Sequence, residues 1–223
     1  MLKQHKWGLI LSSIAVLLPM LIGLCIWSIL PDTIPIHFDI NNNPDSFANK
    51  AVAVFAIPGG MLALHWLCIL CSAKLDPKSK NTLSSKAFNL VIWITPIITL
   101  VFCGLVYVFA LGIKVNIGLV LSLLFGVMFV VIGNLLPKCK QSYTLGIKLP
   151  WTLSDEDNWN KTHRFGGIVW VIGGVLMLAT AFLANFWVLI GILAVMVILP
   201  TIYSYCHYKK SKQNNKINEN IEK

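Results

Sequence analysis

"FGGIVWVIGGVLMLATAFLANFWVLIGILAVMVILPTIYSYCHY", residues 165–208, is a run of 44 residues without one Asp, Glu, Lys or Arg. As a single helix it would reach ~66 Å at ~1.5 Å per residue, about twice the ~30 Å hydrocarbon core of a bilayer. The run therefore predicts two spans, near 166–183 and 186–206, joined by a tight turn around "LANF" (183–186). That turn decides the parity of the chain: six spans with it, five without.

Upstream, further uncharged runs lie near 7–30, 51–73, 88–110 and 117–136. The whole chain of 223 residues is 57% hydrophobic and only 12% charged, where a soluble domain carries about 25% charge. Backbone groups in lipid must be satisfied within the segment, so the runs read as helices. The fold class is all-α integral membrane, with six transmembrane helices. Orientation follows from the bases. With the N terminus inside, sixteen of the eighteen Lys and Arg lie in cytoplasmic segments, and only Lys50 and Lys114 lie outside. Five spans would put the Lys-rich tail outside, so the expectation is N-in/C-in. The net charge of +9 is then a topology signal that also favours the anionic lipid bilayer, and no direct nucleic-acid partner is expected. The N-terminal apolar run is longer than a signal-peptide core and ends without a small-x-small site, so it reads as an uncleaved first span.

The chain divides into an N-terminal two-helix module (1–73), a cytoplasmic linker "KLDPKSKNTLSSKA" (74–87), a four-helix region (88–208) with a cytoplasmic loop at 137–165, and a basic, Asn-rich tail (209–223) whose composition predicts disorder. The outer loop of the first module is "PDTIPIHFDINNNPDSFANK" (31–50). Partial alternation in "TIPIHFDI" predicts one short extended strand, and "NNNPD" a turn. Pro35 argues against a central strand. Pro19, Pro58, Pro96 and Pro200 fall inside spans, where they kink helices. Gly126 and Gly133, like Gly167 and Gly174, are seven apart and share a helix face, which predicts close packing of span four on span five.

Chemistry-bearing patterns are few. None of the six Cys lies in an outer loop, and "CILC" (68–71) sits in an apolar helix without nearby acid or base. It reads as small apolar filling, so neither a metal nor a cofactor is expected. No H-E-x-x-H, G-x-S-x-G or phosphate-binding Gly loop occurs, and the chain is not expected to be an enzyme. Every acid and base falls in a loop, a tail or a span end, whereas ion-coupled transporters usually bury such groups in the membrane. His65 is the one mid-span ionisable residue and is expected to bond helix to helix. A transporter of small molecules or peptides stands as the alternative function.

The interruption "GNLLPKCKQSYTLGIKLPWTLSDEDNWNKTHRFGG" (133–167) is the most informative polar stretch. Pro137 marks a helix end, and Lys138 and Lys140 follow at the membrane surface. Thr152 with Asp155, and Ser154 with Asp157, fit helix-capping spacing. Asp155, Glu156 and Asp157 suit the positive end of a helix dipole, and Asp157 precedes Lys161 by one turn. Lys161 and Arg164 then reach the interface, where Trp151 and Trp159 are belt residues by type. One helix starting near 154 and running into span five accounts for these. His163 has Asp157 and Glu156 nearby as acid–base partners, but a position on the cap side of the helix is the more economical expectation. Asn134, His163 and the turn "GIKLPWTL" are left over, and a plain connection need not be thirty residues long.

"GN-x-x-P-K", "G-I-K-x-P-W-T-L" and "W-x-x-T-H-R-x-G-G", in this order, resemble the signature of the SdpI family of bacterial immunity membrane proteins. The matching positions include Gly133, Asn134, Pro137, Lys138, Gly146, Pro150, Trp151, Trp159, His163 and Arg164, and Lys148 stands among them as a candidate site residue of the same cytoplasmic signature. The outer loop "L-P-D-x-I-P-x-H-F" with a following "P-D" is similar to the N-terminal domain of unknown function that often precedes that signature, through Asp32, Pro35, His37, Phe38 and Asp45. The chain departs from the pattern at Ser142, at Lys148-Leu149 and in the turn Asn41–Asn43; Lys in place of Arg at 148 lacks a planar bidentate donor. The resemblance implies a multi-pass protein of the bacterial cytoplasmic membrane that protects its cell from a secreted peptide toxin. It further implies a relay of the toxin's presence to a cytoplasmic transcriptional repressor. The outer loop is then the candidate recognition surface for the toxin, and the cytoplasmic signature the candidate surface for the repressor.

Overall fold

The computed structural model describes residues 2–75, 85–183 and 185–221. Helix α1 (Lys6–Cys25) is followed by a hairpin of β1 (Thr33–Phe38) and β2 (Pro44–Asn49). Helix α2 (Ile57–Leu70) is flanked by π-helical turns at Val52–Ala56 and Cys71–Leu75, and α3 covers Ser85–Ala110. Then come α4 (Ile117–Leu135), a 3-10 turn at Leu136–Lys138, the short α5 (Pro150–Ser154), α6 (Glu156–Thr180), a 3-10 turn at Ala181–Leu183, and α7 (Phe186–Ile221). Among the described residues, six helices are long and apolar enough to cross a membrane, as the charge-free runs predict. The protein is a multi-pass membrane protein.

The described residues form two compact units, one reaching Gly118 and one starting at Leu119. In the first, α1, α2 and α3 pack pairwise. The reading from sequence grouped span three with the later spans; instead α3 belongs to the first unit. Its buried residues explain this: Phe88, Ile92, Thr95, Thr99, Cys103 and Val106 recur every three or four positions, one continuous face. Gly23 lets α1 come close, since a Cβ there would lie 2.8 Å from both the Tyr107 hydroxyl and Val54. The Tyr107 hydroxyl donates to the Pro19 carbonyl at 2.9 Å. His65 is fully buried, and its Nε2 meets the Ser12 hydroxyl at 3.0 Å, tying α2 to α1.

The 31–50 loop holds two strands where one was expected. β1 pairs antiparallel with β2, Ile34 opposite Ala48 and Pro35 opposite Phe47, with irregularities on either side of His37. Two prolines are tolerated because a two-stranded sheet has only edges. "PDSFAN" lacks alternation, and its pairing comes from its neighbours rather than its propensity. The Asp39 carboxylate accepts from the backbone amides of Asn41 and Asn43 at 2.9 and 2.7 Å, and Asn42 takes the left-handed conformation at φ 68°. Ile34, fully buried beside Leu30, Val54 and Val106, anchors the hairpin, worth ~2 kcal/mol of apolar burial.

In the second unit α6 packs along α7, and α5 lies against both. The glycine spacing performs as expected: a Cβ on Gly126 would sit 3.0 Å from the Gly174 carbonyl, and one on Gly133 2.8 Å from that of Gly167. Asn185 opens α7 by accepting from the amides of Trp187 and Val188. That helix continues to Ile221, so the tail expected to be disordered from 209 is helical over 209–221. No Gly or Pro interrupts residues 209–221, and extending a formed helix avoids the cost of nucleation. Residues 76–84 of the expected linker lie outside the described residues.

Candidate functional site

Between α4 and α6 the chain closes around one imidazole. His163, in the second turn of α6, is 1% exposed. It stacks on Trp159 one turn earlier, ring centroids 3.9 Å apart. Its Nδ1 lies 2.8 Å from the Trp159 carbonyl, and its Nε2 accepts from the backbone amide of Ile147 at 2.9 Å. An amide can only donate and a carbonyl only accept, so the ring is the neutral tautomer with its proton on Nδ1. Gly146, just before that amide, has φ 114°. A Cβ there would collide with His163 Nε2 and lie 2.8 Å from the Trp159 ring. Gly146 is thus required twice, by its backbone angle and by the lack of room.

The rest of the loop satisfies itself. The Leu149 amide donates to Thr152 Oγ1 at 2.9 Å, and that hydroxyl donates to the Ile147 carbonyl at 2.9 Å. Gln141 Nε2 donates to the carbonyls of Thr152 and Leu153, 2.8 and 2.9 Å. Ser142 Oγ accepts from the amides of Thr144 and Leu145. Trp159 Nε1 donates to the Cys139 carbonyl at 2.8 Å. Pro150 supplies the first turn of α5, where its missing N–H costs nothing.

A second buried network joins this cap to α7. Asn158 Oδ1 accepts from Ser204 Oγ at 2.9 Å and from Thr162 Oγ1 at 3.0 Å. Asn158 Nδ2 donates to the Ser204 carbonyl at 3.1 Å. Ser204 Oγ in turn accepts from Trp151 Nε1 at 2.8 Å, and Trp151 lies against Tyr205 and Tyr208. Sequence reasoning missed Asn158 and Ser204, and held Thr162 only as a position of the signature motif. A signal was present: Asn158, Thr162 and Gly166 recur every four residues, the polar and small stripe that a buried membrane-helix contact favours.

One expectation needs correction, and the less economical alternative for His163 falls away. Trp159 is not an interface belt residue, because it is fully buried; its indole finds a partner inside the loop, so it has no need of the headgroup region. His163 does not pair with Asp157 or Glu156. Asp157 instead takes Lys161 at 2.8 Å and His207 at 2.9 Å, while Asp155 caps α6 through the amides of Asp157 and Asn158. The signature residues therefore separate into two kinds. Gly133, Trp159 and His163 are interior, and Gly146 and Trp151 are half-buried. Asn134, Pro137, Lys138, Lys148, Pro150 and Arg164 are exposed. His163 spends both nitrogens on the backbone, so the pair it makes with Trp159 is a scaffold. Among the described residues no three His, Cys, Asp or Glu side chains converge as a metal site would need.

On the hairpin, His37 Nδ1 and Asp45 Oδ1 pair at 2.6 Å on the exposed surface. Asp32 pairs with Lys50 at 2.9 Å, and the Lys50 ammonium holds that carboxyl below the usual carboxylate range. Lys50 also lies over the Trp27 ring at 5.0 Å. Phe38 packs on Phe109, centroids 4.5 Å apart, and Pro35 is buried. These two shape the hairpin, while Asp32, His37 and Asp45 face out. Ile40 and Phe47, not singled out from sequence, are 60% and 58% exposed on the same hairpin.

Comparison with known proteins gives two family matches. Residues 138–204 match the SdpI/YfhL protein family, and residues 14–62 match a domain of unknown function, DUF1648. The immunity protein SdpI of Bacillus subtilis (strain 168) is 31% identical over 206 residues, covering 90% of this chain and 96% of the relative. No solved structure matches.

Proposed function

Because the chain belongs to the SdpI/YfhL protein family, we propose that it is an immunity protein of the bacterial cell membrane that protects its bearer against a secreted peptide toxin. The observation that carries the reading is the end-to-end likeness to an immunity protein, covering 96% of that relative. On the N-in orientation that the bases favour, the β1–β2 hairpin faces the side from which a secreted peptide arrives. It offers that peptide Ile40 and Phe47 as apolar anchors beside Asp32, His37 and Asp45. The outer segments, with three acids against Lys50 and Lys114, are close to neutral, so affinity has to come from apolar contact rather than steering.

A second role is a relay to a cytoplasmic repressor, and the exposed set on the α4–α6 connection favours it. Asn134, Lys138 and Arg164 are exposed and available as a docking surface, with Lys148 beside them, its ammonium 3.3 Å from the Thr144 carbonyl. The test is survival of a toxin-sensitive bacterium carrying this protein when challenged with the source strain's own secreted peptides. Protection by the wild type and its loss on Ile40→Asp with Phe47→Asp, at equal membrane levels, is the expected result. Absence of protection by well-inserted wild type overturns the immunity reading.

A further inference from the structure

Helices α1 and α2 of the first unit leave a groove of about 860 Å³ between them, within the ~300–1,000 Å³ range of ligand sites. Ile10, Leu17, Leu62 and Trp66 line its length, and Lys3 and Lys6 stand at one end. The basic end coincides with the start of α1, which has no acidic residue in its first turn and no side chain capping its amides. Two ammonium groups and the positive end of a helix dipole thus meet at the mouth of an apolar channel. From Lys6 to Leu17 the helix rises ~16 Å, about half the ~30 Å hydrocarbon core, which is the depth of one leaflet.

From this geometry we propose that the α1–α2 groove binds one anionic phospholipid of the cytoplasmic leaflet, its phosphate at Lys3 and Lys6 and one acyl chain along Ile10, Leu17 and Leu62. A zwitterionic lipid fits the channel equally well but brings its own cation to the lysines, so charge is what selects. The lysines keep the positive-inside role they have in the topology; the groove gives that charge a particular occupant. This site is independent of the immunity reading and of any toxin.

The experiment uses the full-length protein released from nanodiscs of equal phosphatidylglycerol and phosphatidylcholine content, with retained lipid counted by native mass spectrometry. Phosphatidylglycerol is expected on the wild type, and Lys3→Gln with Lys6→Gln is expected to lower its retention roughly ten- to thirty-fold, each lysine near the surface contributing about a tenfold share or less. A groove-filling Leu62→Trp variant, with both lysines intact, is expected to lose the lipid as well. Soluble glycerol phosphate, which lacks the acyl chain, is expected neither to bind nor to compete. Equal retention of the two lipids, or retention unchanged in either variant, overturns the proposal, as does displacement by glycerol phosphate.

Discussion

The Ile147 amide donates to Nε2 of His163, 2.9 Å away, and this one bond pins the middle of the twenty-residue connection between α4 and α6 to a membrane helix. Removing the imidazole leaves the half-buried Ile147 N–H without its partner, costing ~1 kcal/mol, and a void under Trp159. His163→Ala is therefore expected to open the 139–154 segment to protease while the six helices stay inserted. Mass spectrometry of limited-proteolysis fragments, with and without the variant, checks it; cleavage equal to wild type would show that the bond does not hold the segment.

Gly146 supports the same bond from the other side. Gly146→Ala combines strain at φ 114° with a Cβ driven into the His163 and Trp159 rings. Backbone strain of this kind costs ~1–3 kcal/mol before the clash is counted. The variant is expected to match or exceed His163→Ala in the proteolysis assay, and the double variant to add little, since both break one contact.

What could be read from sequence, and what could not, follows from the range of the forces involved. The six spans were legible because lipid excludes charge from whole segments, and gaps in charge are visible one residue at a time. The α4–α6 contact was legible because Gly126, Gly133, Gly167 and Gly174 carry their spacing openly. The partner of α3 was not, since every span is apolar all round and lipid and protein faces read alike. Trp159 misled for the same reason: an indole suits the interface by type, and only the position of the Cys139 carbonyl makes it interior. His163 was flagged as unexplained, but its partner is a backbone amide sixteen residues earlier, which leaves no mark in the sequence.

The glycines of α4 and α6 offer a graded test of helix packing. Gly133→Val places side-chain atoms where the Gly167 carbonyl lies 2.8 Å from the Cβ position, and should separate the helices and lower the melting temperature in detergent. Gly59 and Gly60 of α2 have nothing within 4 Å of a Cβ. Gly59→Ala and Gly60→Ala are expected to be neutral or stabilising by up to ~1 kcal/mol. If all three substitutions shift melting alike, close backbone approach is not what holds α4 on α6.

Asp39 supplies a pH-dependent prediction for the hairpin. Its carboxyl is held below the usual range, chiefly by the backbone amide of Asn43 and then by Asn41. A lowered folded-state pKa means that the contribution is full above the ordinary value and lost as pH falls through the lowered one. The β-turn should therefore keep its amide protection at Asn43 from neutral pH down to about pH 4 and lose it only in stronger acid. Carbon-13 carboxyl shifts beside amide exchange follow both; a midpoint at the ordinary carboxylate value would refute the turn as drawn.

The exposed and interior halves of the signature should separate in function. Lys138→Glu with Lys140→Glu reverses charge on the surface and touches none of the bonds to His163, Trp159 or Asn158. Asn158→Ala does the opposite: it removes two hydrogen bonds from α6 to Ser204 of α7 and one to Thr162 within α6 and leaves the surface charges in place. With net hydrogen-bond contributions near ~1 kcal/mol each, plus a buried partner left unpaired, Asn158→Ala is expected to cost ~2–4 kcal/mol and to reduce protection and relay together. The charge reversal is expected to spare toxin survival while abolishing membrane recruitment of a repressor, scored by fluorescence of a tagged regulator. Were the charge reversal to abolish survival at unchanged membrane levels, the exposed lysines would belong to immunity itself, and the division between an outer recognition surface and an inner relay would fall.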